Sequence, residues 1–209
     1  MTILNPEINK YIESIIPVRK EPFIEMEAYA REHGFPIIGP LAGTLLRQYA
    51  ISINAKNIFE LGSGYGYSAL WMAEVLPSDG KIHLTDRKEE NKLMAIKHFK
   101  AAGQIDKMEF HVGDAMQIFG EHGGPFDIIL NDIDKEGYPE TIQAVKKRLR
   151  KGGLFITDNL LWSGRILESE PREASTRGIL EFTKRLYSDP DFLTSIIPIR
   201  DGIAVAVRV

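Results

Sequence analysis

Apolar and polar positions repeat along this chain in two periods, and each change of period marks an element. Asn5-Pro6-Glu7 combines a capping side chain, a proline at the first helical position and an acid near the positive end of a helix, so a helix is expected to start there. Ile8, Tyr11, Ile12, Ile15 and Ile16 follow at helical spacing as one apolar stripe, which Pro17 ends. A second helix is expected over about 22–33, with Phe23, Met26 and Ala30 on its inner face and Gly34 as its stop. A third follows Gly39, its buried face made by Leu41, Leu45, Leu46 and Tyr49. From there strand and helix alternate, with strands near 57–62, 81–85, 108–112, 126–131 and 153–158. The helices between them are marked by runs such as Ile142, Val145 and Leu149 and by stops at Gly103 and Gly152-Gly153. Such alternation builds a mostly parallel sheet with helices on both faces. The pattern then changes: after a helix carrying Ile179, Phe182 and Leu186, strands at 192–198 and 202–209 are separated by only three residues. That gap is too short for a parallel crossover, so the pair is an antiparallel hairpin.

The 209 residues are expected to form a single domain, a helical cap over 1–36 followed by an α/β core over 37–209. The two cap helices cover the mouth of a site, pack on a second subunit, or cap the sheet; the sequence leaves these open. A hydrophobic fraction of 44% and a charged fraction of 26% are ordinary for a globular protein, and a net charge of -3 gives no broad attraction to nucleic acid or anionic membrane. The absence of cysteine removes disulfides, thiolate metal sites and a cysteine nucleophile. No basic flank or long apolar run opens the chain, and no segment reaches the length of a membrane span, so a soluble cytoplasmic protein is expected.

The chain is organised around Asn57-Ile-Phe-Glu-Leu-Gly-Ser-Gly-Tyr-Gly-Tyr-Ser68, a buried strand running through Gly62, Gly64 and Gly66 into a helix. Dinucleotide dehydrogenases and S-adenosylmethionine (SAM) methyltransferases both use such a turn. Glu60 favours the second, because a carboxylate at the strand's end can meet the sulfonium and ammonium charges of SAM. Asp86 closes the next strand at the distance where an acid reaches a ribose hydroxyl, which fits either cofactor. Asp114, after the third strand, can accept from an adenine amino group. A parallel sheet closed by an antiparallel hairpin also points to the methyltransferase arrangement.

Ligands of open parallel sheets bind beyond the carboxyl ends of the strands. The fourth strand runs into Asp132 and the fifth into Asp158-Asn159. Three hard oxygen donors without sulfur suit Mg2+, with Mn2+ or Ca2+ as alternatives. Lys135 lies three residues past Asp132, within reach of a substrate there. Asp134 either caps the helix starting near Pro139 or holds Lys135, and Trp162 either walls the acceptor site or belongs to the core. His33, His83, His98, His111 and His122 have no ligand spacing; His83 and His111 fall in strands as core or edge residues, and no histidine is assigned a role. The basic run 146–151 reads as a solvated face at a helix C-terminus rather than an RNA contact.

Together Phe59-Glu-Leu-Gly-Ser-Gly-Tyr-Gly-Tyr-Ser-Ala-Leu70, Gly113-Asp-Ala115, Phe126-Asp-Ile-Ile-Leu-Asn-Asp-Ile-Asp-Lys135, Asp158-Asn-Leu-Leu-Trp-Ser-Gly164 and Asp201-Gly202 resemble the metal-dependent SAM O-methyltransferases of the catechol and caffeoyl-CoA type. The resemblance spans roughly residue 37 to the end and implies a Rossmann-like class I SAM methyltransferase fold with seven strands. By position, it implies that Glu60, Gly62 and Ser68 hold the amino-acid end of SAM, Asp86 the ribose, and Asp114 with Ala115 the adenine. Asp132, Asp158 and Asn159 match the family's metal ligands, Asp132 also bordering the cofactor, and Lys135 matches its proposed general base. Gly64 stands where the family usually has a bulkier residue, and Ile133 where it often has alanine. The resemblance implies a homodimer acting on a small hydroxylated, catechol-like acceptor. The alternative acceptor is a hydroxylated uridine in tRNA, reached by similar bacterial proteins with a comparable pair of N-terminal helices; a non-catalytic SAM-binding protein and an NAD-dependent enzyme are the remaining rivals.

Overall fold

The structure is a computed structural model describing residues 5–209, so the first four residues of the expected cap lie outside the described residues. The helices are α1 (Pro6–Ser14), α2 (Glu21–His33), α3 (Gly39–Ser52), α4 (Tyr67–Ala73), α5 (Glu89–Ala101), α6 (Ala115–Glu121), α7 (Tyr138–Lys146) and α8 (Ala174–Ser188). The strands are β1 (Asn57–Leu61), β2 (Lys81–Asp86), β3 (Met108–Val112), β4 (Phe126–Asn131), β5 (Leu149–Thr157), β6 (Phe192–Ile197) and β7 (Ile203–Arg208). They form one sheet in the order β3-β2-β1-β4-β5-β7-β6, in which β1 to β5 run parallel and β7 lies antiparallel to both its neighbours. The seven-stranded sheet with its antiparallel closure is therefore the one expected.

Strand alternation divides the core in two. Ile58, Leu84, Leu130 and Ile156 point to a layer built with Met26 of α2, Leu46 of α3, Leu70 of α4 and Phe99 of α5. The intervening Phe59, Ile129 and Phe155 point the other way, to Phe119 of α6, Val145 of α7 and Phe182 of α8. No helix among the described residues is long and apolar enough to cross a membrane.

Two local expectations are corrected, on α3 and at Leu149. On α1, whose partner the sequence left open, Ile8, Tyr11 and Ile15 are exposed, and no residue of the helix is fully covered. On α3 the inner face is Ala42, Gly43, Leu46 and Ala50, with Leu41, Leu45 and Tyr49 only half-buried, because small side chains let α3 lie close against Trp71 of α4. Leu149 does not continue a helix: α7 ends at Lys146, and Leu149 opens β5 opposite Phe126, so Gly152-Gly153 lies inside a strand beside an irregular register. His83 and His111 fall in strands as expected, His111 on the edge strand β3, but they do not stand apart. His83 and His111 are neighbours on β2 and β3, and His122, at the end of α6, turns onto both rings. Burial holds the His83 ring down to about 4 and lowers His111 as well, so both are neutral at ordinary pH.

Three of the five cations in the basic run are paired within the chain, and Lys147 and Lys151 are exposed. Lys146 pairs with Asp189 and Asp191, Arg148 donates to the carbonyls of His122 and Gly120, and Arg150 donates to Asp127. Asp127 also accepts from the backbone N–H groups of Lys56 and Asn57, at 2.7 and 2.8 Å, and so ties together the starts of β1, β4 and β5. Burial opposes its charge, but Arg150 and these two N–H donors outweigh that and hold the carboxyl below the usual range. A lowered folded pKa contributes stability above the unfolded value that is lost as pH falls through the folded one. Asp127→Ala is expected to cost about 2 kcal/mol at pH 7, measured by urea unfolding, and the deficit relative to wild type to shrink below pH 4.

Candidate active site

Parallel register sets the site. Leu61 pairs with Asn131 and Asn131 with Thr157, so the next residue on each strand, Gly62, Asp132 and Asp158, falls in one row. The row stays hydrogen-bonded beyond the strands: Asp132 N–H donates to the Leu61 carbonyl at 2.8 Å and Asp158 N–H to the Asn131 carbonyl at 3.2 Å. With strands about 4.8 Å apart, glycine turn and carboxylates converge at the carboxyl edge. Gly62, at φ 82°, is required here, since a Cβ would stand 2.7 Å from the Asp132 carbonyl oxygen.

Thr85 buttresses the turn. It is fully buried; its hydroxyl donates to the Glu60 carbonyl and accepts from Gly62 N–H, while its own carbonyl accepts from Ser63 N–H. Beneath the turn, Glu60 is 1% exposed and accepts a hydrogen bond from Ser68 through Oε1. Its Oε2 is buried with no hydrogen-bond partner among the described residues. Burial drives the Glu60 carboxyl up to about 7, against the lowering effect of Ser68 and Ser63. A buried carboxylate oxygen without a donor fits a ligand cation, so the residues present suit SAM.

A cleft of about 190 Å³ opens above the turn, lined on its floor by Gly62, Ser63 and Ser68 and at its sides by Asp86 and Asp132. Its remaining wall is Phe35, Pro36, Ile37 and Ile38, the segment joining α2 to α3. That wall was missed by the reading of the sequence, where it looked like a connector. It is held by α2: Tyr65 donates to the Met26 carbonyl at 2.9 Å and Tyr67 to Glu27 at 2.8 Å, while Arg19 pairs with Glu27.

Asp86 Oδ1 accepts from Lys88 N–H and Asn91, which orients the carboxylate at the cleft. Asp114 stands outside the cleft lining. One of its oxygens caps α6 through the N–H groups of Met116 and Gln117, the other meets Arg87 at 3.1 Å, and the caps followed by Arg87 hold its carboxyl low. Ala115 opens the helix that Asp114 caps. Asp134 neither caps α7 nor holds Lys135; it is exposed and lies 3.7 Å from Arg87.

Asp132 retains 32% side-chain exposure toward the cleft, and Lys135 Nζ rests on its Oδ1 at 2.6 Å. The surrounding protein nevertheless drives its carboxyl up to about 6; Lys135 opposes this and the charge of Asp158 adds to it. Asp158 is buried and also raised, chiefly by burial, with Arg200 opposing at 3.7 Å. Arg200, from the β6–β7 turn, was not foreseen, since nothing local marks a turn arginine as facing a site 42 positions back. Asn159 follows Asp158 at φ 64°, a left-handed conformation asparagine tolerates. Two crowded carboxylates and an amide, all hard oxygen donors, fit a divalent cation such as Mg2+.

Two features frame this corner. Gly178 lets α8 cross directly over the Lys135 backbone, where any Cβ would overlap the carbonyl oxygen. Trp162 and Ser163 both adopt positive φ, 44° and 52°, in a loop pinned by Leu160 and Leu161 N–H bonds to the carbonyls of Gly202 and Asp201. Such strain persists only where surrounding bonds over-determine it. It sets the Trp162 ring 6.0 Å from Lys135 Nζ, with the Tyr138 ring 5.1 Å away.

Comparison with known proteins bears on this geometry. The O-methyltransferase family model matches residues 34–209. Caffeoyl-CoA O-methyltransferase 1 of Eucalyptus globulus is 34% identical, the match covering 94% of this chain and 85% of that protein. Catechol O-methyltransferase of Niastella koreensis is 29% identical over 96% of each. Among solved structures, the O-methyltransferase TomG of Streptomyces achromogenes in complex with SAM superposes with a TM-score of 0.89 at 25% identity, covering 97% of this chain and 96% of that one. With the family model spanning everything from the cleft wall to the last strand, the chain belongs to the O-methyltransferase family of the caffeoyl-CoA and catechol type, and is a SAM-dependent enzyme.

Proposed function

We propose that this enzyme transfers the SAM methyl group to one hydroxyl of a small vicinal diol of the catechol class, in a reaction that depends on a divalent cation held by Asp132, Asp158 and Asn159. The observation that carries the reading is the convergence of two crowded carboxylates on neighbouring strand ends beside the cofactor cleft. When bound, SAM supplies an electrophilic methyl and the cation supplies positive charge beside the acceptor oxygens. Glu60 and Ser68 anchor the amino-acid end of the cofactor, Asp86 the ribose, and Asp114 with Ala115 the adenine edge through the start of α6. The Phe35–Ile38 wall excludes water.

Lys135 is the group nearest to take the acceptor's proton, since its amine already lies at the cleft edge on Asp132. Transfer forms one C–O bond and breaks one C–S bond; the hydroxyl proton would pass to Lys135 as the neutral amine, the form that the positive charge of a cation held by Asp132 and Asp158 would favour over the ammonium now paired with Asp132. General-base assistance of this kind contributes on the order of 10² to 10⁴ in rate, whereas alignment of donor and acceptor contributes up to about 7–11 kcal/mol. Positioning outweighs proton transfer, which is why the rigid row of strand ends matters more than the lysine. The exposed α1 stripe supports a homodimer; a monomer mass in light scattering would remove that part of the reading.

The direct experiment follows label from SAM into a catechol panel and into tRNA lacking the uridine modification, each with Mg2+ and with EDTA. Label on a catechol with Mg2+ alone is expected. Label on tRNA only would overturn the acceptor class, and undiminished transfer in EDTA would overturn the cation. The raised Glu60 pKa gives a second expectation. The carboxyl is neutral below about 7 and a cationic ligand needs it ionised, so SAM binding should tighten by roughly fivefold to tenfold between pH 6 and pH 7.5. Calorimetry at the two pH values reads this, and Glu60→Gln should weaken binding and flatten the profile; a flat wild-type profile would contradict the role.

A further inference from the structure

We propose that His83, His111 and His122 form a second metal site, selective for a transition metal of the Zn2+ class and separate from the carboxylate pair. The three rings come from β2, β3 and the end of α6, and one ligand nitrogen from each lies within 4.8 Å of the others. His83 Nδ1 stands 3.4 Å from His111 Nε2. Two ligands about 2.05 Å from a tetrahedral ion lie roughly 3.3 Å apart, so this pair already spans one edge of such a site. Glu109, directly opposite His83 in the sheet register, brings Oε2 to 3.3 Å from the same nitrogen and so sets negative charge beside the three rings, without being one of the groups that converge.

His122 adds the sign that distinguishes a site from a stack. Its Nδ1 lies 2.8 Å from the Ile118 carbonyl, so that nitrogen carries the proton and Nε2 keeps the bare lone pair a metal takes. Three imidazoles without a thiolate suit Zn2+, Co2+, Ni2+ or Cu2+ and disfavour Mg2+, which takes oxygen ligands. The partial exposure of all three rings gives an ion access. None of the three lines the cofactor cleft, and His83 sits three residues, about 10 Å, before Asp86 on β2. An ion here joins the edge strand β3 to α6, the helix whose first turn is capped by Asp114.

The test uses the full chain stripped with EDTA and returned to millimolar Mg2+, which occupies the carboxylate pair. Co2+ titration should then give tetrahedral ligand-field bands that saturate at one equivalent. His111→Gln and His122→Gln should each abolish the bands, while Asp132→Asn and His33→Gln leave them unchanged. Zn2+ should raise the melting temperature of wild type and not of whichever histidine variant folds. Absence of bands in wild type, bands that survive both histidine substitutions, or a melting temperature indifferent to Zn2+ would each overturn the site.

Discussion

Everything at the active edge depends on the hydrogen-bonded register of three parallel strands. Leu61, Asn131 and Thr157 lie side by side, and the backbone bonds from Asp132 to Leu61 and from Asp158 to Asn131 carry that register one residue past the strands. A slip of one residue would turn every side chain to the other face and separate Gly62, Asp132 and Asp158. The fold protects the register at both ends. Asp127 fastens the strand starts through two backbone N–H groups and Arg150, and Thr85 fastens the turn that follows β1.

The row concentrates negative charge where water is scarce. Glu60, Asp132 and Asp158 all have raised carboxyl pKa values, and for each the leading cause is burial. A folded protein does not hold three such groups for stability, because each resists ionisation in its pocket and ionising it above the usual carboxylate range costs free energy. Their cluster at one cleft is the expected signature of a site completed by cations. Lys135 and Arg200 partly offset the charge from within the chain, and the partnerless oxygen of Glu60 leaves the rest to a ligand.

The sheet was legible because its strands are short, apolar and punctuated by glycine, and the carboxylates were legible because strand ends can be counted. What failed did so for physical reasons. Leu149 continues the helical spacing of Ile142 and Val145, and only pairing with Phe126 makes it a strand. The α3 face escaped because close packing on Trp71 selects Gly43 and Ala42 over the larger leucines. Phe35–Ile38, Thr85 and Arg200 carry no local signal; α2 holds the first at the cleft, while the sheet sets Thr85 under the glycine turn and the hairpin sets Arg200 beside Asp158. The histidine cluster is the clearest instance, since its members are separated by 28 and 11 positions and meet only through strand register and the end of α6.

The most direct test of the central claim is Mn2+ binding to the SAM-product-saturated enzyme, followed by the loss of the free-ion paramagnetic resonance signal. The register account predicts that one ion is bound by wild type, that Asp132→Asn and Asp158→Asn each lose it, and that His111→Gln keeps it. Binding that survives both aspartate substitutions, with the fold intact by circular dichroism, would contradict the account.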